Sequence, residues 1–407
     1  MSHPRFSICV CAYNDEAYVR DCLTSVLSQS FADFQLVCVD DGSSDGTGEI
    51  LSEFASADDR VCLHLKQRNE GVHLGRMDAV ASARGDYLLF LDSDDELLPG
   101  SLLALSNVLD EHPCDYLHFG AQFIADGANA GVAARAEAQA NQSFEVHSGR
   151  DLMHLAYDVS GGYVLDWRVW QRVYATPLVQ HAFSLMPRVG LGRGQDSFEH
   201  LVIAALSKQP FFANDVVAYR YYLGRGVTSS SRQTPEAWLK TMRAYADAVG
   251  QAHRFARVAG DDHIEIAASG LEEKLVENLF NDLSERIDSE QFERLTLVSA
   301  RYFSSCTVGS QLARLVRDRA YGLLVNGDSI DADPLLVDQL ACAERIIETG
   351  GDPSSPAAHA YLEPARSHVK DLIERSTGCG GGGCDRSHTR TLRSAVKALG
   401  SRLRRRA

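Results

Sequence analysis

The sequence predicts an α/β protein in which a mostly parallel sheet with helices on both faces is followed by a mainly helical C-terminal region. Short apolar runs alternate with helix-periodic segments through the first hundred residues, in the order β-α-β-α-β-α-β. From about residue 235 to residue 376 the apolar spacing is helical throughout. The first pattern indicates the sheet, and the second indicates the helical region.

Four short apolar runs are expected to form the parallel strands. They are FSICVC (6–11), QLVCV (35–39), VCLHL (61–65) and YLLFL (87–91). Near-continuous apolar runs of this length are typical of strands that are buried on both faces. Right-handed crossover connections would align the carboxyl ends of these strands along one edge of the sheet.

The segments between these runs have the apolar spacing of amphipathic helices. In the first segment, apolar residues recur at i, i+3, i+4, i+7 and i+8 as Val19, Cys22, Leu23, Val26 and Leu27. We expect further helices near 47–57 and 72–84, and a strand within 210–223. Residues 126–143 are rich in Ala, Gly and Asn, which predicts a mobile surface insertion.

The charge of the 407-residue chain is unevenly distributed. The net charge is −15, but residues 386–407 contain eight basic and no acidic residues, which leaves −23 on the rest. An acidic body argues against non-specific nucleic-acid binding. As a helix, the tail would place Leu392, Val396, Leu399 and Leu403 on one side, a pattern suited to an anionic membrane interface. A solvated, disordered tail is the alternative.

Two observations predict a cytoplasmic protein. No run approaches the about 20 apolar residues of a membrane-spanning helix. Pro4 and Arg5 lead directly into a strand-like run, which is not the pattern of a signal peptide. The ten cysteines show neither a CxxC pair nor zinc-like spacing, so we expect reduced, buried thiols.

Polar and acidic residues follow three of the predicted strands, where ligands bind in open parallel sheets. They are Tyr13, Asn14, Asp40, Asp41, Asp92, Asp94 and Asp95. Carboxylates gathered at one edge repel each other unless a cation is present, and hard oxygen ligands suit Mg²⁺ or Mn²⁺. The first strand is not followed by GxGxxG, and GCGGGGCD lacks the Lys and Ser/Thr of a P-loop. The pattern therefore favours a metal-assisted phosphate site of another kind.

Four blocks in order carry a family resemblance: SICVCAYNDEAYVRDCLTSVLSQSF, VCVDDGSSDGT, RNEGV and GDYLLFLDSDDEL. They resemble the nucleotide-sugar domain of family 2 glycosyltransferases, which have the GT-A fold. The resemblance is close over residues 5–125 and looser to about residue 230. It implies an enzyme that uses a nucleoside diphosphate-sugar, with a UDP-sugar as the expected donor and Mn²⁺ or Mg²⁺ as cofactor.

The resemblance also implies roles for individual residues in base recognition. Tyr13 would pack its ring on the nucleobase, unless it is a strand-end aromatic that plugs the core. Asp40 and Asp41 would form the acidic pair that accepts the imide N–H of uracil. Their alternative role is turn capping, which we expect Ser43, Ser44 or Asp45 to perform instead.

The implied phosphate contacts lie in DSDD and in the helix near 72–84. Asp92 would lie near the ribose, Ser93 would contribute to nucleotide-sugar binding, and Asp94 would bind the metal that bridges the diphosphate. Asp95 and Glu96 could begin the next helix, and that is our interpretation of Glu96. Arg76 would face the donor phosphates, with a solvated helix face as the alternative.

An inverting transfer needs a carboxylate that takes the proton of the acceptor hydroxyl. Family members carry this residue in a Glu-Asp pair that opens a helix, and GRGQDSFEHLVIAAL (192–206) matches with Gln in place of Glu. This makes Asp196 the candidate base, with helix capping as its alternative and Glu199 as the reserve candidate. We expect His118 and His200 to be structural.

These observations predict three regions. Residues 1–232 would form the GT-A domain, with a nucleotide-sugar half at 5–125 and an acceptor half at about 144–232. A helical domain at 233–377 would cover the acceptor side or mediate self-association, and 378–407 would be a Gly-rich linker and basic tail.

The predicted activity is inverting, metal-dependent sugar transfer to a hydroxyl of a glycan or a lipid-linked saccharide. One rival is a sugar nucleotidyltransferase, which should show an early Gly-rich phosphate loop with a basic residue, and FSICVCAYNDE has none. The other rival is an inactive GT-A scaffold, which predicts broken acidic motifs. Asp40, Asp92 and Asp94 are all present.

Overall fold

The computed structural model describes residues 3–125, 130–158, 165–225, 233–350 and 356–378. The chain forms two compact units. Unit 1 comprises residues 1–230 and 244–274, and unit 2 comprises residues 231–243 and 275–407. Residues 244–274 are helical, as the sequence predicts, but they group with the unit that contains the sheet. The predicted tail at 386–407 lies outside the described residues.

Unit 1 is built on a sheet that has eight strands within the described residues. They are β1 (Phe6–Ala12), β2 (Phe34–Asp40), β3 (Val61–Leu65), β4 (Tyr87–Asp92), β5 (Glu96–Leu97), β6 (Tyr116–Ile124), β7 (Arg172–Ala175) and β8 (Pro210–Tyr222). Their order is β3-β2-β1-β4-β7-β6-β8-β5. The four predicted strands, β1 to β4, are parallel, which confirms the expected half-sheet.

The second half of the sheet is mixed. β7 runs antiparallel to both β4 and β6, β6 and β8 are parallel, and the short β5 is antiparallel to β8. The central strands β1 and β2 are buried along almost their whole length, which agrees with their apolar sequences. The polar carboxyl ends of β1, β2 and β4 therefore meet at one edge.

Helices cover the sheet in unit 1. They are α1 (Val19–Leu27), α2 (Thr47–Ala57), α3 (Val72–Ser82), α4 (Ser101–Glu111), α5 (Ala130–Ala140), α6 (Gly149–Tyr157), α7 (Thr176–Leu185) and α8 (Gln195–Leu206). α1 buries Val19, Cys22, Leu23 and Val26, the face that the spacing predicts. The segments between the first strands are thus amphipathic helices as expected.

The predicted insertion at 126–143 differs from expectation. Residues 126–129 lie outside the described part of the chain, but α5 follows and is tied to β6. Glu137 accepts the backbone N–H of Phe123 at 2.7 Å, and the Asn141 side chain pairs with both the N–H and the carbonyl of Ala121 at 2.8 Å. The pairing of β6 with β8 is irregular next to Ala121, so these side chains supply partners that the strand lacks there.

After β8 the described chain is helical, as predicted. The helices are α9 (Pro235–Ala259), α10 (Asp262–Arg286), α11 (Phe292–Ser299), α12 (Ser305–Asn326), α13 (Leu336–Gly350) and α14 (Pro356–Gly378). Inside unit 2, the buried indole of Trp238 donates to the carbonyl of Leu279 at 3.0 Å. None of the helices in the described residues is long and apolar enough to cross a membrane. Seven described cysteines, at positions 9, 11, 22, 38, 62, 114 and 342, are free thiols.

Candidate functional site

A cavity of about 500 Å³ lies in unit 1 at the carboxyl ends of β1 and β4. This volume is within the range of small-molecule sites. Six residues predicted from the sequence line it: Tyr13, Asp41, Asp92, Ser93, Asp94 and Asp196. Three predicted residues do not line it: Asp40, Arg76 and Glu199.

The loop after β1 presents Tyr13 to the cavity. Asn14 has a left-handed backbone with φ of 57°, which asparagine tolerates better than most residues. Its N–H donates to the hydroxyl of Ser43 at 3.0 Å, and its side-chain oxygen accepts the N–H of Ser44 at 2.8 Å. These bonds fix the loop and leave Tyr13 44% exposed. Tyr13 is therefore not a core plug, and its ring is accessible to a ligand.

Ser93 is held in place by residues of the first strand and its loop. Its hydroxyl donates to the Asp15 carboxylate at 2.5 Å and lies 3.2 Å from the carbonyl of Cys11. Asp15 also lines the cavity and accepts the N–H of Tyr13 at 3.1 Å. Sequence reasoning missed Asp15 as a site residue, although its place directly after a strand was the signal that could have found it.

The two adjacent acids Asp40 and Asp41 have different surroundings. Asp40 ends β2, and its carboxylate accepts both the N–H of Ser43 at 3.0 Å and the hydroxyl of Ser43 at 2.5 Å. Contrary to expectation, Asp40 therefore caps the turn. Asp41 lines the cavity, and one of its oxygens accepts the N–H of Gly71 at 2.7 Å. Gly71 has φ of 94°, a conformation that favours glycine.

The carboxylates after β4 are crowded. Burial raises the pKa of Asp92 to about 7, with help from the charges of Asp196 and Asp94 and against that of Arg76. Burial also raises the pKa of Asp94. Burial and the charges of Asp92 and Asp94 raise the pKa of Asp95 to about 9. The cavity therefore has more negative charge than its own cations balance.

Asp95 and Glu96 bind β8 rather than a helix. Asp95 accepts the N–H of Tyr222 at 2.8 Å and the hydroxyl of Tyr219 at 2.9 Å. Glu96 lies in β5 and pairs with Arg220 at 2.9 Å. The prediction that Glu96 begins a helix is wrong, because the next helix, α4, begins only at Ser101 after the turn at Gly100.

Arg76 is placed differently from both sequence interpretations. It lies on α3 with only 3% of its surface exposed, so it is not on a solvated helix face, and it does not line the cavity. Its Nη1 donates to Asp196 and, at 2.8 Å, to Glu199, and its Nη2 donates to Asp92 at 3.4 Å. Its donors therefore hold carboxylates, and a phosphate role for this side chain loses its geometric support.

The two candidate bases differ in accessibility. Asp196 lies in the first turn of α8 with 27% of its side chain exposed, and the helix cap is Gly194 rather than Asp196. Both hydrogen bonds to its carboxylate fall on Oδ1, from Arg76 and from Gln195, so within the described residues Oδ2 accepts none. Glu199 is fully buried, with one oxygen on His73 at 2.7 Å and the other on Arg76. Glu199 therefore cannot reach an acceptor in this arrangement.

His200 belongs to a buried hydrogen-bond chain that does not include the cavity. We call it the Arg172 network, and it consists of Asp166, Arg172, Tyr116, His200 and Tyr157. Arg172 binds Asp166 at 3.1 Å and donates to the Tyr116 hydroxyl at 2.6 Å. The His200 ring lies between the hydroxyls of Tyr116 and Tyr157, each at 2.9 Å. This histidine fills a structural position.

Four further cavity residues escaped sequence reasoning: Arg168, Trp170, Tyr221 and Arg225. The Arg168 guanidinium pairs with Asp166 at 3.0 Å and lies 5.6 Å from the Trp170 ring. Arg225 lies over the Tyr222 ring at 3.5 Å and donates to the Asp94 carbonyl at 3.3 Å. Within the described residues, Arg225 has no carboxylate partner. The aromatic-rich and Arg-rich stretches DWRVW and YRYYLGR were the available signal.

The donor set of the cavity fits a divalent cation only if the ligand shares in binding it. Within the described residues, no group of three or more His, Cys, Asp or Glu side chains is arranged to hold a metal ion. Mg²⁺ commonly binds through one or two carboxylates together with water and substrate phosphates. Asp94 lines the cavity, and its carboxylate accepts no hydrogen bond from another described residue. It is therefore the oxygen ligand that such an ion would use.

Comparison with known proteins identifies several relatives of this chain. Residues 7–161 match the family model for glycosyl transferase family 2. The chain is 26% identical over 308 residues to Glycosyltransferase GlyA of Streptococcus pneumoniae serotype 4, an alignment that covers 71% of this chain and 40% of that protein. It is 31% identical over 109 residues to GalNAc(5)-diNAcBac-PP-undecaprenol beta-1,3-glucosyltransferase of Campylobacter jejuni, with 26% of this chain and 35% of that protein covered. The chain thus spans less than half the length of these two relatives.

A solved structure shares the fold. TarS 1–349 of S. aureus, crystallised in complex with UDP-GlcNAc, has a TM-score of 0.54 to this chain at 17% sequence identity. The match covers 88% of this chain and 92% of that one. It confirms the GT-A fold that the sequence predicts.

Proposed function

Residues 7–161 are a glycosyltransferase family 2 domain, and from this premise we propose that the protein transfers a sugar from a nucleoside diphosphate-sugar, with UDP as the expected nucleotide, to an acceptor hydroxyl with inversion. One observation carries the proposal. The Arg76 guanidinium binds both Asp92, from the end of β4, and Asp196, from the start of α8. Asp92, predicted to contact the donor, and Asp196, the predicted base, therefore line the same cavity and share hydrogen bonds with one guanidinium.

In this proposal Asp196 is the general base. Its Oδ1 is occupied by Arg76 and Gln195, so Oδ2 takes the proton of the acceptor hydroxyl. The acceptor oxygen then forms a bond to the anomeric carbon as the bond from that carbon to the phosphate oxygen breaks. The nucleoside diphosphate leaves with the electron pair. The hydrogen bonds from Arg76 and Gln195 fix the orientation of the Asp196 carboxylate.

In this proposal the donor binds to the cavity residues that follow β1, β2 and β4. The exposed ring of Tyr13 would stack on the nucleobase, beside Asp41, while Asp92 and Ser93 would lie near the ribose. A diphosphate would add negative charge to an already crowded set of carboxylates, so a divalent cation held by Asp94 is expected to accompany it. When bound, Mn²⁺ or Mg²⁺ would stabilise charge on the leaving diphosphate. Of the two arginines that line the cavity, Arg168 pairs with Asp166, whereas the Arg225 guanidinium has no carboxylate partner among the described residues.

The acceptor is proposed to be a glycan or a lipid-linked saccharide. One relative is described as a glucosyltransferase acting on an undecaprenyl-diphosphate-linked glycan, which supports this acceptor class.

Eight basic residues at 386–407, outside the described residues, would attract the protein to an anionic membrane, at about 1 kcal/mol for each residue near the surface. Sedimentation with anionic liposomes tests this: binding that is unchanged on truncation after Ser376 would exclude the tail as the anchor.

The function is tested by a donor screen. Purified protein is incubated with UDP-, GDP- and dTDP-sugars and Mn²⁺, and nucleotide release is measured. We expect release from a UDP-sugar, loss of release in EDTA, and loss of both release and metal-dependent UDP binding in Asp94→Ala at a nearly unchanged Tm. Asp115→Ala, which removes an acid that binds backbone outside the cavity, is the matched control. Full turnover in EDTA would remove the metal from the mechanism.

A further inference from the structure

A buried chain of polar contacts continues from the cavity into the protein, and sequence reasoning did not anticipate it. His73 on α3 is fully buried, and its Nδ1 lies 2.7 Å from Oε1 of Glu199. Oε2 of Glu199 accepts from Nη1 of Arg76 at 2.8 Å, and the same nitrogen donates to Oδ1 of Asp196. One line of hydrogen bonds therefore connects His73 to the candidate base.

The surroundings of His73 determine how its ring is protonated. Its second nitrogen, Nε2, lies 3.3 Å from the carbonyl oxygen of Pro187. Both ring nitrogens thus face oxygen atoms that can only accept, a carboxylate on α8 and a backbone carbonyl after α7. A neutral imidazole has only one N–H and would leave a lone pair against one of these oxygens, whereas an imidazolium donates to both. Two apolar rings also lie close to the imidazole: Phe183 at 6.1 Å and Phe198 at 6.4 Å between ring centroids.

The charges around His73 also favour the imidazolium form of its ring. Asp92, Asp196 and Glu199 are three carboxylates that meet at one guanidinium, that of Arg76. A charged His73 would supply the second cation, next to the one carboxylate of the three that is fully buried. Burial would raise the pKa of Glu199, but the charge of Arg76 and the hydrogen bond from His73 lower it below its usual value. Glu199 thus bridges the two side chains, with Oε1 on His73 and Oε2 on Arg76.

We propose that His73 is a positioning residue: a buried imidazolium that orients Glu199, and through Glu199 and Arg76 fixes the base Asp196. The two N–H groups of Arg76 Nη1 are divided between Glu199 and Asp196. When Glu199 is held, the second N–H points to Oδ1 of Asp196 and leaves Oδ2 for the acceptor hydroxyl. The catalytic part of this inference rests on the proposed function, whereas the protonation of His73 and its coupling to Glu199 do not.

The first test is spectroscopic and needs no substrate. In the full-length protein at neutral pH, long-range ¹H–¹⁵N spectra should show both ring nitrogens of His73 resonating together, as in an imidazolium. The signal is assigned by its loss in His73→Gln or, if that variant does not fold, by its displacement in Phe183→Leu. One far-downfield, unprotonated nitrogen would overturn the proposal.

The second test is a double-mutant cycle on the midpoint of denaturant unfolding. His73→Gln should destabilise the wild type, since it leaves the Glu199 carboxylate short of a cation. In a Glu199→Gln background the same change should have a clearly smaller effect, because only the loss of the buried imidazole remains and no charge is left to be balanced. His118→Gln is the matched control, since it removes another fully buried imidazole and should destabilise both backgrounds equally. Equal effects of His73→Gln in both backgrounds would contradict the coupling.

The third test uses the donor found by the screen. His73→Gln should lower kcat for nucleotide release by about tenfold or more, because small displacements of a base have large effects. The affinity for the donor should remain nearly unchanged, and His118→Gln should keep the wild-type kcat. An unchanged kcat for His73→Gln would refute the positioning role. If no donor supports release in the wild type, the proposed function fails, while the first two tests still decide the state of His73.

Discussion

The cavity and the Arg172 network both contain buried charged groups, but they balance the charge differently. In the network, Arg172 binds Asp166 and Tyr116, and the chain continues through His200 to Tyr157. Although burial alone would raise the pKa of Asp166, the charges of nearby arginines hold it well below its usual range. In the cavity, the carboxylates after β4 instead have raised pKa values.

This difference distinguishes architecture from a binding site. A buried charge that is fully compensated by neighbouring side chains stabilises one arrangement of the fold and needs nothing further. Carboxylates that repel one another are unfavourable until a cation or a proton arrives, and such groups cluster at functional sites. Substitutions in the two regions should therefore have opposite consequences, with lost activity in one and lost stability in the other.

The largest effect is expected in the cavity, from Asp196→Asn. The amide keeps the shape of the side chain but cannot take a proton, so transfer should fall by about 10²- to 10⁴-fold, the usual contribution of general-base catalysis. Donor affinity and the Tm should stay near wild type. Rates of sugar transfer and calorimetric UDP binding measure the two quantities. A variant that unfolds would assign Asp196 to the architecture instead.

For Arg172→Leu we expect lost stability and retained activity. Removing this fully buried cation leaves Asp166 with Arg168 as its remaining ion-pair partner among the described residues, so the free energy of unfolding should fall by about 3 kcal/mol. Turnover per folded molecule should be retained, since Arg172 does not line the cavity. Denaturant unfolding and activity at low temperature are the measurements. Normal stability with lost turnover would break the distinction between the two regions.

The dependence of stability on pH should also differ between the two regions. His118 lies near the Arg172 network, and burial with the charge of Arg172 lowers its pKa to about 3. Below the unfolded value of about 6.5 the unfolded chain binds a proton that the folded chain rejects, so stability falls as the pH falls from about 6.5 towards 3. From pH 7 to pH 5 this amounts to about 2 kcal/mol.

The carboxyl groups that follow β4, next to the cavity, act in the opposite direction. Asp95 has a folded pKa of about 9, raised above its unfolded value, so it keeps its proton in the folded state and loses stability as the pH rises from about 4 to about 9. The free energy of unfolding is measured as a function of pH. Towards acid pH it should fall less steeply in His118→Gln than in the wild type, and towards alkaline pH it should fall less steeply in Asp95→Asn. If both variants keep the wild-type profile, the contrast in charge balance is wrong.

Much of the fold and part of the site follow from local sequence pattern. The parallel strands were predictable because central strands are apolar on both faces, and their aligned carboxyl ends predicted the convergence of Asp41, Asp92 and Asp94. Asp40 was not distinguishable from Asp41, because the exact end of β2 decides which of two consecutive acids turns towards the cavity.

The sequence prediction for Arg76 was wrong because of how α3 packs on the sheet. An added Cβ at Gly75 would lie 3.2 Å from the sulfur of Cys11, so this glycine lets α3 pack closely on β1. The next residue, Arg76, is buried among carboxylates contributed by β4 and α8. The partners Asp196 and Glu199 are 120 and 123 residues away in the chain. No local pattern reports contacts over such separations, and the same holds for His73.

The smallest expected effect compares tyrosines of the two regions. Tyr13 is 44% exposed in the cavity, whereas Tyr157 is almost fully buried and donates to the carbonyl of Ser197 at 2.8 Å. Stacking of a base on an aromatic ring contributes about 1–3 kcal/mol, and an exposed ring should give the lower end, so Tyr13→Ala should weaken UDP binding by about fivefold.

The stability of Tyr13→Ala should be unchanged, because the exposed ring supports no core. Tyr157→Phe, the matched change in the Arg172 network, should keep UDP affinity and lose about 1 kcal/mol of stability, since His200 loses a hydroxyl partner. Calorimetry with UDP and denaturant unfolding on both variants separate the cases. Equal UDP affinity in wild type and Tyr13→Ala would show that the base binds elsewhere in the cavity, and Asp41 with the aromatic wall of Trp170 and Tyr221 would then be the next position to examine.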